Sequence, residues 1–322
     1  MLASLVHTPS WDLPPKQRLA TLLASPVHCR VAPSPTGHVH LGTVRTALHN
    51  ALAARASNGS FLLRIDDTDA ARNNDAHVDL IHRSLDLLGL VPDQCFHQSS
   101  RRQNHHAAVQ SLMDGQWAVR DQGAVRLAPA ARNLAPDRFF DLASGVCQIS
   151  ATLLDHADGL VLLRSDGSPT YHLASIVDDI DAGITLILRG MDHLANVPKQ
   201  ILIALALAKV GYPGAQDFCD RIVFAHVGLI LKDGKKLSKR DNDSNLFHYL
   251  DAGTPPDALL HWALTLGWGH PDSAFDKKWP VIDRQAMPGI FAQGGLRSAN
   301  CALNLDKLAA LSRKYKASSP PQ

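Results

Sequence analysis

The stretch Arg30-Val31-Ala32-Pro33-Ser34-Pro35-Thr36-Gly37-His38-Val39-His40-Leu41-Gly42 decides how this chain folds. Cys29 to Ala32 read as the end of a short apolar strand. Two prolines and Gly37 then turn the chain, and Leu41 to Leu48 open a helical run. A strand, a tight turn and a helix N-terminus together form an anion site, because free backbone N–H groups and the positive end of the helix dipole face whatever sits there. His38 and His40 stand at the mouth of that turn and can donate hydrogen bonds to phosphate oxygens.

Far along the chain comes Lys232-Asp233-Gly234-Lys235-Lys236-Leu237-Ser238-Lys239-Arg240, with four lysines and one arginine in nine residues. A basic run by itself reads as a solvated loop. Ammonium groups on a Gly-hinged loop are also what a departing pyrophosphate needs, since negative charge builds there in the transition state. His40-Leu41-Gly42-Thr43 and Lys236-Leu237-Ser238-Lys239-Arg240, taken together, resemble the HIGH and KMSKS elements of class I aminoacyl-tRNA synthetases. The resemblance narrows to the glutamyl-tRNA synthetase family through RVAPSPTG, RIDDTD (Arg64 to Asp69), SDGSPTYHLASIVDD (Ser165 to Asp179) and LRGMDH (Leu188 to His193). It implies an α/β fold: a Rossmann-type doubly wound parallel sheet, a short connective insertion, and a C-terminal helical region like the stem-contact part of the family.

The resemblance also implies a division of labour. His40, Lys236 and Lys239 would be catalytic. ATP, taken up with Mg2+, would lie against Pro33, His38, Gly42, Thr43, Lys236, Ser238 and Lys239. L-glutamate would be held by Arg30, Ala32, Ser34, Asp66, Tyr171, Ser175 and Arg189. A guanidinium suits a side-chain carboxylate because it grips both oxygens. Three positions depart from the family pattern: Asp66 stands where Glu is usual, Ser175 where many members have Asn, and Met191 where an acidic residue is usual.

The rest of the chain is placed around these motifs. Residues 1–28 form an N-terminal extension with an amphipathic segment, Lys16 to Leu23, expected as a helix packed on the surface. The catalytic unit is expected over 29–240. Within it lie a helix Ala47–Ala56, a strand Phe61–Ile65 and a helix Asp75–Leu88. The insertion is expected at about 97–158, including strand segments at Gly123–Leu127 and Phe139–Leu142. The main sheet is expected to return at Leu160–Leu163, followed by a helix Thr170–Ala182, a strand Ile184–Leu188, a helix Ala195–Val210 and a strand Ile222–His226. Residues 241–322 read as the helical region.

Composition sets the outer limits. With 322 residues, 45% hydrophobic content and a net charge of +2, the chain reads as an ordinary globular protein whose charge neither demands nor excludes nucleic acid, so any tRNA surface would be local. Five scattered cysteines without a CxxC pair suggest free thiols and a cytoplasmic location. No apolar run approaches membrane-spanning length. Cys95, His97, His105, His106 and Cys147 do not match zinc-ligand spacing, so no metal site is expected. The anticodon-binding part of the family has no counterpart in this sequence. A monomer that contacts tRNA through the acceptor stem alone, and activates glutamate without it, is therefore expected. The glutamyl-Q-tRNA(Asp) synthetases, which share that shortness, and a catalytically silent paralogue are the alternatives; intact HLGT and KLSKR motifs argue against the second. A nucleotidyltransferase of related fold would not explain RIDDTD or the Tyr171/Arg189 pair.

Overall fold

The computed structural model describes residues 13–68, 73–150, 152, 159–237, 241–272, 275 and 279–318. Its strands, in chain order, are β1 (His28–Val31), β2 (Ser60–Ile65), β3 (Gln94–His97), β4 (Ala118–Asp121), β5 (Ala124–Leu127), β6 (Arg138–Asp141), β7 (Gly145–Gln148), β8 (Val161–Leu163), β9 (Leu186–Gly190) and β10 (Val223–Val227). Shorter ones follow: β11 (Ile230–Lys232), β12 (Lys235–Lys236), β13 (Trp268–Gly269), β14 (Gly295–Leu296) and β15 (Cys301–Ala302). A seven-stranded sheet runs β3-β2-β1-β9-β10-β6-β7, parallel except for the final β6–β7 hairpin. The strand order reverses between β1 and β9, and the crevice at the carboxyl ends of such a pair is where open α/β sheets bind ligands.

Period-two alternation sorts the sheet into two faces. Phe61, Leu63, Ile65, Leu186, Leu188, Ala225 and Val227 join one apolar cluster, while Leu62, Ile187 and Phe224 join the other. The first face is covered by the helix Leu41–Ala56 and by residues of the C-terminal region, with Trp262, Trp268 and Phe291 among the largest fully buried side chains. Helices Tyr171–Asp181 and Val197–Lys209 contribute their apolar residues to the second. At about 25 cal/mol per Å2 of apolar surface, burying each such large side chain contributes roughly 1.5–3 kcal/mol. Residues 241–318 therefore share a core with the helix that follows the first turn.

Most expected elements stand within two or three residues of their predicted bounds. The N-terminal segment is a helix, Pro15–Leu22, with Leu19 fully buried. Two strands are not where the sequence reading puts them. Leu160–Leu163 does not bring back the main sheet: Val161 and Leu163 pair antiparallel with β5, completing a small sheet β4-β5-β8. Phe139–Leu142 does not belong to that small sheet either. β6 lies in the main sheet, parallel to β10, with Phe139 edge-on to Phe224 at 6.0 Å. Both segments are short apolar runs, and such runs carry no address of their own; the partner that buries them best decides the sheet.

Candidate active site

β1 ends at Val31, and the chain turns through Pro33 to Gly37 before the helix Leu41–Ala56 begins. Gly37 has φ +147°, a conformation that side chains rarely adopt. His40 is the N-cap of the helix: its Nδ1 accepts from Gly42 N at 2.8 Å. A Cβ at position 42 would come within 3.0 Å of that same nitrogen, so glycine gives the capping imidazole its room. With Nδ1 accepting, the proton sits on Nε2, which lies 3.0 Å from the carbonyl of Leu237. The first motif thus touches the second directly.

The second motif is more ordered than a hinged loop. β11 and β12 form a hairpin pairing Lys232 with Lys235 across Asp233-Gly234. Those two residues have φ +51° and +74°, the left-handed pair that the tightest hairpin turns require, and Asp-Gly is suited to it. Lys236 Nζ is 2.7 Å from Asp192 Oδ2, and Asp192 follows β9. Ser238, Lys239 and Arg240 lie outside the described residues.

Between these motifs is a cavity of about 630 Å3. Its lining includes Arg30, Ala32, Pro33, Ser34, His40, Gly42, Thr43, Asp66, Tyr171, Arg189 and Lys236, so most of the residues singled out from the sequence do converge. Two do not line it. His38 is exposed and lies off the wall. Ser175 is fully buried behind Arg64, whose Nη2 donates to its hydroxyl at 3.2 Å. The motif reading also missed cavity residues: Arg45, Arg64, Asp192 and His193. Arg64 and Asp192 sit inside quoted motifs, and a charged residue at a strand's carboxyl end was the available signal. His193 closes the quoted LRGMDH stretch as well, and only Arg45, inside the helix, carried no signal.

The polar groups at the back of the cavity are almost dry. Arg30 donates through Nε and Nη2 to both oxygens of Asp179. Arg64 donates to Asp66 at 2.6 Å, to Asp179 at 2.8 Å and to the carbonyl of Ser175. Burial raises the Asp66 carboxyl above the usual range despite Arg64. Burial would raise Asp179 too, but Arg30 and Arg64 outweigh it and hold that carboxyl low. Asp66, expected to meet a substrate ammonium, is thus folded back on Arg64 and offers it a shared carboxylate.

Arg189 differs from both. It is 8% exposed, and its hydrogen-bond acceptors are all neutral. Nε donates to His226 Nε2 at 3.0 Å, Nη2 to Gln200 Oε1 at 2.7 Å and Nη1 to the Tyr171 hydroxyl at 3.4 Å. Burial lowers its pKa from the ordinary arginine value. Two arginines therefore share two carboxylates, and two further buried guanidiniums of the lining, Arg45 and Arg189, form no ion pair with a carboxylate among the described residues; Arg45 donates to Cys301 Sγ, and Arg189 has the three neutral side-chain acceptors just named. Desolvating a cation without an anion is costly, so the site is complementary to a ligand carboxylate.

A parallel sheet with its crevice at the β1/β9 reversal, a histidine-capped turn and a lysine hairpin define the class I aminoacyl-tRNA synthetase architecture. The chain belongs to the class I tRNA synthetase (E and Q) catalytic-domain family, whose model matches residues 26–125 and 124–287. It is 39% identical over 293 residues to glutamate–tRNA ligase 2 of Neorickettsia sennetsu, covering 90% of this chain and 66% of that protein. It is 34% identical over 329 residues to the glutamate–tRNA ligase of Geotalea uraniireducens, covering 92% of this chain and 67% of the relative. The crystal structure of a glutamate tRNA ligase from Elizabethkingia meningosepticum, solved in complex with its amino acid, superimposes with a TM-score of 0.76 at 25% identity, over 91% of this chain and 70% of that one. The chain thus spans about two thirds of the length of the relatives it matches.

His97, His105 and His106 bond to Asp67, Asp178 and the Gly167 carbonyl, and among the described residues no group of three or more His, Cys, Asp or Glu is arranged to hold a metal. No helix among the described residues is long and apolar enough to cross a membrane.

Proposed function

We propose that this chain activates L-glutamate with ATP, forming glutamyl adenylate and releasing pyrophosphate, and that a tRNA then receives the glutamyl group. The observation that carries the reading is Arg189, a buried guanidinium held among the described residues by neutral acceptors alone and facing a cavity whose other end presents His40 and Lys236. The glutamate side-chain carboxylate supplies the missing anion, with Arg30 Nη1 as a second donor. The α-ammonium is met by Asp66. The substrate's α-carboxylate is already a nucleophile, so attack on the α-phosphorus needs no general base. Catalysis is positioning plus stabilisation of charge on the departing pyrophosphate. His40 Nε2–H and Lys236 do this once ATP takes the places of Leu237 O and Asp192; Ser238 and Lys239 are expected beside them. The two carboxylates lining the cavity, Asp66 and Asp192, are both paired with cations, so the described lining does not fit a resident magnesium ion.

The test is pyrophosphate exchange with glutamate and with glutamine, each with and without tRNA. Glutamate should support exchange and glutamine should not, because a guanidinium offers donors and no acceptor for an amide NH2. Arg189→Ala should lower kcat/KM for glutamate by about 2–5 kcal/mol, the cost of truncating one member of a buried charge pair. Equal use of glutamine by the intact chain would overturn the assignment.

A further inference from the structure

Behind Arg189, away from the cavity, the sheet carries two more buried polar side chains. The parallel register sets His226 of β10 directly beside Arg189 of β9. Asp141 of β6 is in register with Phe224, two residues before His226. Strand alternation puts all three on one face, since Ile187, Phe224 and Phe139 share an apolar cluster. Asp141 and His226 are both fully buried, and neither lines the cavity. Asp141 Oδ1 accepts from the backbone N–H groups of Ala143 and Ser144 at 3.0 and 2.9 Å. Its other oxygen lies 2.7 Å from His226 Nδ1.

These contacts fix the imidazole's state. A carboxylate can only accept, so Nδ1 carries the proton and Nε2 presents a lone pair to the Nε–H of Arg189, 3.0 Å away. Burial keeps His226 below the ordinary imidazole pKa, against the pull of Asp141, and the charge of Arg189 works in the same direction. The other tautomer would set N–H against N–H and push the guanidinium off its seat.

We propose that Asp141 and His226 are positioning residues for amino-acid recognition, an Asp–His pair whose tautomer holds Arg189 Nε so that its Nη groups meet the substrate carboxylate. This rests on the glutamate reading above. Asp141→Asn is the sharpest probe because it keeps shape and volume. The asparagine carbonyl would keep accepting from Ala143 and Ser144, so its NH2 faces Nδ1, and the imidazole proton moves to Nε2. Neither residue touches the substrate, so the penalty falls on glutamate binding, on the order of 10- to 100-fold, the scale at which partners of ligating histidines act.

Glutamate KM in pyrophosphate exchange should rise by about that factor in Asp141→Asn and in His226→Leu. The KM for ATP, and kcat at saturating glutamate, should stay within about threefold, a split of less than about 0.7 kcal/mol. His226→Gln, which can place a carbonyl oxygen near the Nε2 position, should recover part of the affinity. Imidazole 15N spectra of the wild type and of Asp141→Asn supply a reading independent of activity. They should show His226 protonated on Nδ1 in the first and on Nε2 in the second. A glutamate KM unchanged in Asp141→Asn and His226→Leu, equal losses for ATP and glutamate, or an unchanged tautomer would each overturn the proposal. Failure of the wild type to activate glutamate would instead overturn the glutamate reading, while the spectra would still decide whether the pair sets the tautomer.

Discussion

The two ends of the cavity are built from opposite materials. At the Arg189 end the guanidinium and carboxylate groups are locked: in the Arg64–Asp179 pair each side chain is 1% exposed. At the hairpin end the Lys236–Asp192 pair has side chains 58% and 39% exposed. A buried network is hard to rearrange, because every partner removed leaves an uncompensated charge. A half-solvated pair is worth about 0–1 kcal/mol and exchanges partners readily. Recognition of a fixed shape belongs at the first end. On the proposed reading, binding a triphosphate and releasing a pyrophosphate belongs at the second, where partners would change during the reaction.

The largest expected effect tests the rigid end. Asp179→Ala strands the guanidinium of Arg30 in the core and leaves Arg64 with Asp66 alone, and unfolding free energy should fall by about 3–5 kcal/mol. Chemical denaturation measures it, and a loss below about 1 kcal/mol would mean that water reaches the pair and the contrast is overstated. Next comes His40, which bridges the two ends. His40→Asn keeps a good N-cap for the helix, so stability should hold within about 0.5 kcal/mol. Adenylation should nevertheless slow by about 10- to 1000-fold, the scale of one lost transition-state donor. Should the rate survive in single-turnover measurements, the imidazole is only a cap.

The dryness of the rigid end extends behind the site, and pH tests it. Burial depresses His49, on the helix that His40 caps, to about 3, with Arg45 contributing. Burial likewise depresses His261 to about 4, with Lys307 and Lys314 contributing. Both folded values lie below the unfolded value of about 6.5, so between them the unfolded chain binds protons that the folded chain refuses. Their stabilising contribution is complete above pH 6.5 and is lost as pH falls toward 4. Each imidazole should remove about 2 kcal/mol between pH 7 and pH 5. Denaturation series at the two pH values check this, and His261→Gln should visibly flatten the dependence. The smallest effect probes the exposed end: Asp192→Asn should change stability by less than about 1 kcal/mol, and 1 M salt should erase the difference. A larger loss that survives salt would show the hairpin to be as fixed as the guanidinium network.

Much of the site was legible because its parts are local. The turn at Pro33–Gly37, the helix start after it and the Tyr171 and Arg189 positions are each set by residues within a few places of one another; the cap at His40 and the Asp-Gly hairpin are as local, yet the first read as a phosphate donor and the second as a hinged loop. His38 and Ser175 show the limit. Both lie in recognisable motifs, yet one side chain stays at the surface and the other is sealed behind Arg64. Asp141 and His226 carried no motif at all, although Asp141 interrupts an apolar run, Phe139-Phe140-Asp141-Leu142-Ala143.

The sequence by itself determined the turn, the capped helix and the lysine hairpin, since backbone preferences of glycine, proline, aspartate and a capping side chain act over a few residues. Tertiary structure alone decided which sheet takes β6 and β8, and which buried guanidinium groups meet a carboxylate. Arg30, Arg64 and Arg189 are the same residue type at similar strand ends. What separates them is that the packed helix Tyr171–Asp181 brings Asp179 to the first two, with Asp66 already close to Arg64 in sequence, while strand register sets a neutral imidazole beside the third. Charge pairing in a dry interior depends on separations of a few ångströms between segments far apart in the chain, and only the folded sheet sets those.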